Sequence, residues 1–591
     1  MSEITPDDPA ARGAGGAGHP TPVFGVPASA FRRFRATVLS PDDAVRRGAE
    51  PPVHPTAYRP DRLILPGLPG GDTIAGPLAA LKRLGEDMGF TPVVLNDAPD
   101  ARAGDGAEAD VKRAPRQPSV AELARALDLA GELDAVARTI VELRPDAGRL
   151  AAPVDAWEVL QKARQETDEN SSQVSQWSLC HILMSAGYAS GVGYASGVGY
   201  ASGVGYASGV GYASGVGYAS GVGYASGVGY ASGVAAPGSA DGRAPVAVYL
   251  TPGAPTGRRS PVVAILDTGL GAHDWFPAGS PLVDRDPTVE DPRTGKPVPV
   301  GLRFSAAKDP ERGGVTIDAV NGTLDAMAGH GTFVAGVVRQ HCPDAALVIV
   351  PVMYGDGAAD ESDVIEALEK LIIWNRLRQQ GRADGPPLDV ISLSLGYYHE
   401  TPGSVDDEAG LFAALRKLRC DGVCVVAAAG NGATSLEFWP AALSPKPVTD
   451  ETGSSVPAAP LMSVGATNPG DPATIAHATV AAFSNSGSWV KAYRCGVGVV
   501  STMPTGLNGS LRPALHVEGR PGMPARSTPD PDDYSCGFGV WSGSSFSAPA
   551  YAGQVAAALT EVKPEVKPEA RIAQVTEVVD ALPSGPQGVT S

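Results

Sequence analysis

Apolar segments of strand length alternate with longer amphipathic segments between residues 245 and 562. Near-continuous apolar runs occur at 262–266, 347–352, 390–395 and 423–428. Between them, residues 363–378 and 408–418 carry apolar side chains at helical spacing. This alternation predicts an α/β domain with a mainly parallel sheet between two layers of helices. In such folds, the catalytic groups belong at the carboxyl ends of the strands.

A second, smaller set of elements is predicted before this domain. The predicted strands lie at 62–65, 90–95 and 139–143, and the predicted helices begin after Pro77, after Ser119 and near Trp157. Ser119 and Glu122 have the spacing of a capping box, which marks a helix N-terminus. We therefore predict a small α+β domain over residues 58–180.

The two ends of the chain carry weaker patterns. Residues 1–57 are rich in Pro, Gly and Ala and lack periodicity, so we predict a disordered or irregular segment. Residues 563–591, beyond the larger domain, are predicted to form a C-terminal tail with a short helix.

A hexapeptide repeat occupies residues 188–234, between the two predicted domains. The unit Tyr-Ala-Ser-Gly-Val-Gly starts at Tyr188, and its last copy ends at Val234. Because every third residue is glycine on average, ordering the array costs backbone entropy. A flexible linker that spans about 40 Å is therefore the favoured interpretation. The even period also suits a stacked sheet or solenoid that assembles several copies of the chain, and a specific binding role is a third alternative.

Charge and composition argue against several classes of partner. The net charge of −18 over 591 residues and the absence of a Lys/Arg block argue against nucleic-acid binding. No stretch approaches about 18 consecutive apolar residues, so no membrane partner is expected. We expect a cytoplasmic protein, although export without a classical signal stays open. The six cysteines lack metal-ligand spacing and are expected to be free thiols.

Four polar residues stand where predicted strands end or predicted helices begin. Asp267 follows the strand Val-Val-Ala-Ile-Leu, and Asn431 follows a strand that ends in Ala-Ala-Ala-Gly. His330 lies between two glycines at the start of an apolar helix, and Ser545 lies at the Gly-flanked start of another. Taken singly, each has a structural explanation: an Asx turn, a left-handed turn, a core histidine or a helix N-cap.

The chain order Asp267, His330, Asn431 and Ser545 resembles the subtilisin family, in which the catalytic Asp, His and Ser follow one another in this order. The motifs Gly-His-Gly-Thr, Ser-Leu-Ser-Leu-Gly, Phe-Trp-Pro-Ala and Gly-Ser-Ser-Phe-Ser-Ala-Pro carry the resemblance, which covers about residues 255–560. It implies a subtilisin-like three-layer fold and serine endopeptidase activity.

The resemblance also implies a role for each of these residues. Ser545 is the expected nucleophile, His330 the general base and then acid, and Asp267 the group that orients the imidazole. The Asn431 side chain and the Ser545 backbone N–H are the expected donors to the oxyanion.

Ser394, Leu395 and Gly396 match the family's substrate-lining strand. We expect this strand to pair with an extended polypeptide substrate, and Gly396 to leave room for a substrate side chain. This chemistry requires no cofactor, and no catalytic metal is expected. An insertion at 278–320 contains four acidic residues that could bind structural calcium, namely Asp284, Asp286, Glu290 and Asp291. Their spacing fits no EF-hand, so a solvated acidic loop is the favoured interpretation.

The predicted N-terminal domain is loosely similar to subtilisin propeptides in the order of its elements. We expect it to be propeptide-like or regulatory, and to bind the peptidase domain in cis. Two other hypotheses concern the whole chain: a catalytically silent scaffold that binds extended peptides, and a dedicated protease that processes one partner. Covalent labelling of Ser545 separates an active enzyme from a scaffold.

Overall fold

A computed structural model describes most of the chain outside the repeat. The described residues are 26–41, 53–95, 117–148, 154–166, 172–186, 242–401, 409–444, 446–449, 454–470 and 478–586. The predicted repeat at 188–234 lies outside these ranges.

A seven-stranded sheet forms the centre of the larger domain, in the order β18-β17-β15-β13-β7-β11-β8. All of its paired strands run parallel. These strands are β7 (Val262–Asp267), β8 (Val283–Asp284), β11 (Ala346–Pro351), β13 (Val390–Leu393), β15 (Cys424–Ala428), β17 (Leu461–Thr467) and β18 (Ala492–Cys495). The central strand β7 is buried along its whole length, as its continuous apolar sequence requires. The predicted α/β class with a mainly parallel sheet is therefore confirmed.

Among the residues that the structure describes, five α-helices belong to this larger domain. They are α7 (His330–His341), α8 (Glu361–Gln379), α9 (Phe412–Cys420), α10 (Ser544–Leu559) and α11 (Pro568–Ala581). A 3-10 helix (Ala441–Leu443) follows strand β16. Helix α11 contributes Val575, Val578 and Val579 to the main hydrophobic core. The predicted peptidase domain ends at residue 562, but the packed core of the larger domain continues through helix α11.

Short strands complete the larger domain. They are β6 (Ala244–Pro245), β9 (Thr288–Asp291), β10 (Lys296–Pro299), β12 (Ala358–Asp360), β14 (Leu395–Tyr398), β16 (Phe438–Trp439), β19 (Val499–Thr502), β20 (His516–Val517), β21 (Arg526–Ser527) and β22 (Phe538–Trp541). Strands β9 and β10 form a hairpin in the 278–320 insertion. None of the helices among the described residues is long and apolar enough to cross a membrane.

The smaller N-terminal unit combines strands and helices. Part of it surrounds a separate apolar cluster, whereas the buried apolar side chains between residues 120 and 133 join the main core of the larger domain. Its strands are β1 (Thr37–Leu39), β2 (Thr56–Pro66), β3 (Phe90–Val94), β4 (Arg138–Pro145) and β5 (Ser178–Ser185). Its helices are α1 (Ala28–Phe34), α2 (Ala75–Met88), α3 (Val120–Ala126), α4 (Ala130–Asp134), α5 (Ala156–Glu166) and α6 (Ser172–Ser175). The Ser119–Glu122 capping box is present at the start of α3.

Helix α1 and strand β1 lie inside the segment that the sequence pattern predicts to be irregular. The helix is held by contacts with residues far along the chain: Ala30 and Phe34 are buried in a small cluster with Ala358, and Arg33 pairs with Asp356 at 2.8 Å. Such non-local contacts leave no periodic signal in seven residues of sequence, which explains why the pattern misses this helix.

Strand β5 joins the two units. Its first half pairs with β2 of the N-terminal unit. Its second half pairs antiparallel with both β12 and β14 of the larger domain. The last strand of the N-terminal unit is thus inserted between two strands of the larger domain, and it ends beside the carboxyl ends of the central sheet.

Candidate active site

Asp267 is the last residue of the central strand β7 and is almost fully buried. Its Oδ1 atom accepts a hydrogen bond from the Thr268 backbone N–H at 2.8 Å and lies 2.7 Å from His330 Nδ1. Its Oδ2 atom has no hydrogen-bond partner among the described residues. The carboxylate is therefore oriented by one oxygen, which faces the imidazole.

His330 is the first residue of helix α7 and is fully buried. Gly329 precedes it with φ of 82°, a left-handed conformation that favours glycine. Gly331 follows it, and a Cβ there would lie 2.8 Å from the Gly269 backbone nitrogen. Glycines on both sides therefore allow helix α7 to begin directly against the Asp267 loop, which brings the imidazole to the carboxylate.

Ser545 lies in the first turn of helix α10, whose sixteen residues direct their backbone N–H groups toward this site. Its hydroxyl donates to the Ser394 carbonyl at 3.3 Å. The Ser394 hydroxyl donates in return to the Ser545 carbonyl at 3.0 Å. His330 Nε2 faces a different hydroxyl, that of Ser185, at 3.4 Å. Ser545 and His330 thus lie on the two sides of the end of strand β5.

The carbonyl oxygen of Ala186 lies between two N–H donors. The Ser545 backbone N–H donates to it at 3.1 Å, and the Asn431 side-chain amide donates to it as well. The orientation of Asn431 is fixed because its Oδ1 accepts from the Ser544 N–H at 2.9 Å. Ser545 and Asn431 therefore meet at one peptide carbonyl of the same chain, while His330, paired with Asp267, faces the preceding residue, Ser185.

The residues before Ala186 pair with the strand predicted to line a substrate cleft. The Ala186 N–H donates to the Ser394 carbonyl at 2.9 Å. Ser185 is opposite Leu395, and Met184 is opposite Gly396. On the other edge of β5, the Ser185 N–H donates to the Gly357 carbonyl at 2.8 Å. A segment of extended backbone therefore occupies the cleft in a defined register.

Comparisons with known proteins identify the family of the chain. The model of the subtilase family matches residues 258–582, more than half of the chain. The chain belongs to the subtilase family. It is therefore related to serine peptidases, whose substrates are polypeptides, and the resemblance seen in the sequence is confirmed. The crystal structure of a lanthipeptide protease is also similar, with 20% identity, a TM-score of 0.32, and coverage of 54% of this chain and 78% of that chain. No curated protein matches the chain.

Glu311 is a buried carboxyl next to the Asp267–His330 pair of this subtilase, and it is not part of any of the sequence motifs. Glu311 Oε1 accepts from the Gly331 N–H at 2.9 Å and lies 2.5 Å from the Thr268 hydroxyl. Glu311 Oε2 accepts from the Thr332 hydroxyl at 2.5 Å. One side chain thus links the loop after Asp267 to the first turn of helix α7.

The environment of Glu311 also changes its acidity. Burial first, and then the charges of Asp267 and Asp309, raise the pKa of Glu311 from 4.5 to about 7 despite the opposing hydroxyl donors. Glu311 lies in the 278–320 insertion, and no sequence motif links this insertion to Asp267 or His330. Thr268 and Glu311 are more than forty residues apart in sequence, so their contact follows only from the fold. The presence of an insertion between the Asp and His motifs is the only feature of the sequence that points to this region.

The space beside Gly396 differs from the expectation that it is open to a substrate side chain. A Cβ at Gly396 would lie 2.6 Å from the Phe438 ring, and one at Gly430 would lie 3.0 Å from the same ring. The Phe438 ring therefore fills the space between the strand that carries Gly396 and the segment that leads to Asn431. The pocket of this subtilase is narrowed at that point by an aromatic side chain.

The four acidic residues considered as calcium ligands are engaged in different ways. Asp286 forms an ion pair with Arg303, and Asp291 pairs with Arg293 at 3.0 Å and accepts from the Thr294 hydroxyl. Within the described ranges, these acids do not converge as a set of metal ligands. A group that does converge is His181, His399 and Glu400, at the contact between the two units.

Proposed function

We propose that this subtilase is a serine endopeptidase and that the peptide bond after Ala186 is its first substrate. In this proposal Ser545 is the nucleophile, His330 the general base and acid, and Asp267 the group that orients the imidazole. Asn431 and the Ser545 N–H stabilise the oxyanion. The observation that carries the proposal is the Ala186 carbonyl, which accepts hydrogen bonds from both of these donors.

The reaction begins when the Ser545 hydroxyl turns from the Ser394 carbonyl toward His330 and the Ser185 hydroxyl leaves His330 Nε2. The Ser545 oxygen then bonds to the Ala186 carbonyl carbon while its proton moves to Nε2. Negative charge develops on the Ala186 oxygen, where the two N–H donors already lie.

Collapse of this intermediate breaks the bond to the nitrogen of residue 187. His330 returns the proton to that nitrogen, which leaves as an amine, and Ala186 stays as an ester on Ser545. A water molecule then attacks the ester with the help of His330, which frees the Ala186 carboxylate and restores the serine. No cofactor takes part in this sequence of steps.

The N-terminal unit acts in this proposal as an inhibitor in cis. The pairing of β5 with β12 and β14 does not depend on the bond that is broken, so the strand stays in the cleft after the cut. Antiparallel pairing along an open strand edge is a general mode of peptide recognition, and it supports polypeptides as the later substrates.

A serine-directed fluorophosphonate probe tests the proposal on the full chain. We expect labelling of the wild type, no labelling of Ser545→Ala, and strongly reduced labelling of His330→Ala, because the probe reacts only with an activated hydroxyl. Labelling should increase when the chain has cut itself and the N-terminal unit has been released, because β5 then no longer occupies the cleft. If neither wild type nor the two variants react before or after this release, the chain is a silent scaffold and the proposal is wrong.

A further inference from the structure

Four carboxylates on the larger domain are buried where the N-terminal unit covers them. Their exposed fractions are 5% or less. We call this set the acidic dock: Asp356, Asp360, Glu361 and Glu400. Buried carboxylates are unfavourable unless a cation or several hydrogen bonds compensate for the lost water. The four carboxylates therefore require partners that compensate for the lost water.

Every residue of the acidic dock is paired with a basic side chain of the N-terminal unit. Arg33 lies 2.8 Å from Asp356. Arg59 and Arg62 lie 3.1 and 3.4 Å from Asp360. His181 lies 2.7 Å from Glu361 and 2.9 Å from Glu400. All the carboxylates of these five pairs belong to the larger domain and all the cations to the smaller one.

His181 is the member of this set that lies on the strand in the cleft. It is five residues before Ala186, which makes it the sixth residue on the amino side of the proposed cut. Both ring nitrogens face carboxylates, and the two glutamates raise the pKa of His181 to about 9 against the effect of burial. The imidazole stacks on Tyr397, with ring centroids 4.2 Å apart. His181 is therefore held as a cation in a site built around it.

A metal ion is a less suitable occupant of this place. The donor atoms of His181, His399 and Glu400 lie within 4.8 Å of one another. However, His399 Nδ1 already accepts from the Thr401 N–H at 3.0 Å, and His181 Nε2 lies at hydrogen-bonding distance from Glu400. A protonated His181 donates to Glu361 Oε2 and to Glu400 Oε2, so it bridges the two carboxylates without a metal ion.

We propose that Glu361 and Glu400 form a specificity site that selects polypeptide substrates with a basic residue six positions before the cleaved bond. The proposal rests on the proposed function, since it assigns the substrate of the same cleft. A substrate that pairs with β14 in the register of β5 places its sixth residue where His181 lies. When the N-terminal unit leaves, the two carboxylates lose their cation, and a substrate cation restores the charge balance.

Internally quenched peptides based on residues 179–190 test this inference on the full chain after it has cut itself and released the N-terminal unit. The position of His181 is varied as His181→Lys, His181→Gln and His181→Glu, and Cys180 is replaced by Ser in every peptide. We expect kcat/KM for the Lys peptide to exceed that for the Gln peptide about tenfold, which corresponds to about 1.4 kcal/mol. The Glu peptide should be the poorest substrate, and the preference should weaken in high salt.

Enzyme variants locate the source of the preference. The double variant Glu361→Gln, Glu400→Gln should cleave the Lys and Gln peptides equally. Asp286→Asn removes an exposed carboxylate outside the dock and should keep the preference. Both glutamates are buried, so the peptide series on the wild-type enzyme tests the preference by itself if the double variant does not fold.

The outcomes separate this inference from the function on which it rests. An enzyme that does not cut after Ala186 and reacts with no serine probe contradicts the proposed function. An enzyme that has cut itself, has released the N-terminal unit and reacts with the serine probe, but cleaves all the peptides equally or none of them, contradicts the specificity site. A preference that disappears when a metal chelator is added also contradicts it, since the site then acts through a bound metal.

Discussion

Replacing Glu311 by Gln tests whether the buried carboxyl next to the Asp267–His330 pair makes the free energy of unfolding depend on pH. The substitution keeps the shape of the side chain and removes its ionisation. In the folded protein, burial raises the pKa of Glu311 from 4.5 to about 7. Between these two values the folded protein binds a proton that the unfolded chain has lost.

The sign of the effect follows from this difference in bound protons. Because the folded state binds more protons, the free energy of unfolding falls as the pH rises from about 4.5 to about 7. The full loss is about 3 kcal/mol, from about 1.4 kcal/mol for each factor of ten in the acid dissociation constant. Glu311→Gln lacks this loss. Its stability relative to the wild type should therefore rise by up to about 3 kcal/mol across that interval.

Urea unfolding followed by tryptophan fluorescence measures the effect between pH 4.5 and 8. Both proteins should carry Ser545→Ala, so that proteolysis does not interfere. Glu290→Gln serves as the control because Glu290 is exposed in the same insertion, and its difference from the wild type should not follow this trend. A constant difference between Glu311→Gln and the wild type at all pH values would refute the reasoning.

Further substitutions address the oxyanion site and the pocket. Asn431→Ala should slow the cut after Ala186 roughly 10²–10³-fold. Asn431→Asp should have the same effect, because the aspartate keeps an oxygen toward Ser544 but has no N–H to donate. Gel densitometry over time measures the rate of the cut, and a rate near that of the wild type would contradict the role of Asn431. Phe438→Ala should open the space beside Gly396. In this variant, kcat/KM for peptides with Leu or Phe before the cleaved bond should rise relative to kcat/KM for the matched peptide with Ala there. If the ratio is the same as in the wild type, Phe438 does not limit the pocket.

The sequence predicts the parts of the molecule that depend on local patterns. Buried parallel strands such as Val262–Asp267 are continuous apolar runs, and the glycines beside His330 mark a close approach of backbones. By contrast, helix α1 is held by Arg33 and Phe34 through contacts with distant residues. Such contacts depend on the folded topology and leave no periodic trace in the sequence.

The candidate site also contains some residues that the sequence reveals and others that it does not. Asp267, His330, Asn431 and Ser545 are visible because their chain order and flanking glycines are unusual together. Glu311 and the residues that occupy the cleft are not visible, because nothing in a single sequence relates an insertion or the end of strand β5 to the catalytic loops. Only the three-dimensional arrangement places the Ala186 carbonyl against Ser545 and Asn431.

The central claim is that Ser545 attacks the carbonyl of Ala186. Intact-mass measurement with N-terminal sequencing, performed on purified wild type and on Ser545→Ala, tests it most directly. The account predicts that the wild type yields a fragment ending at Ala186 and a fragment beginning at residue 187, whereas Ser545→Ala stays whole. A wild-type chain that stays whole under conditions of folding and incubation, or a cut at the same bond in Ser545→Ala, would contradict the account.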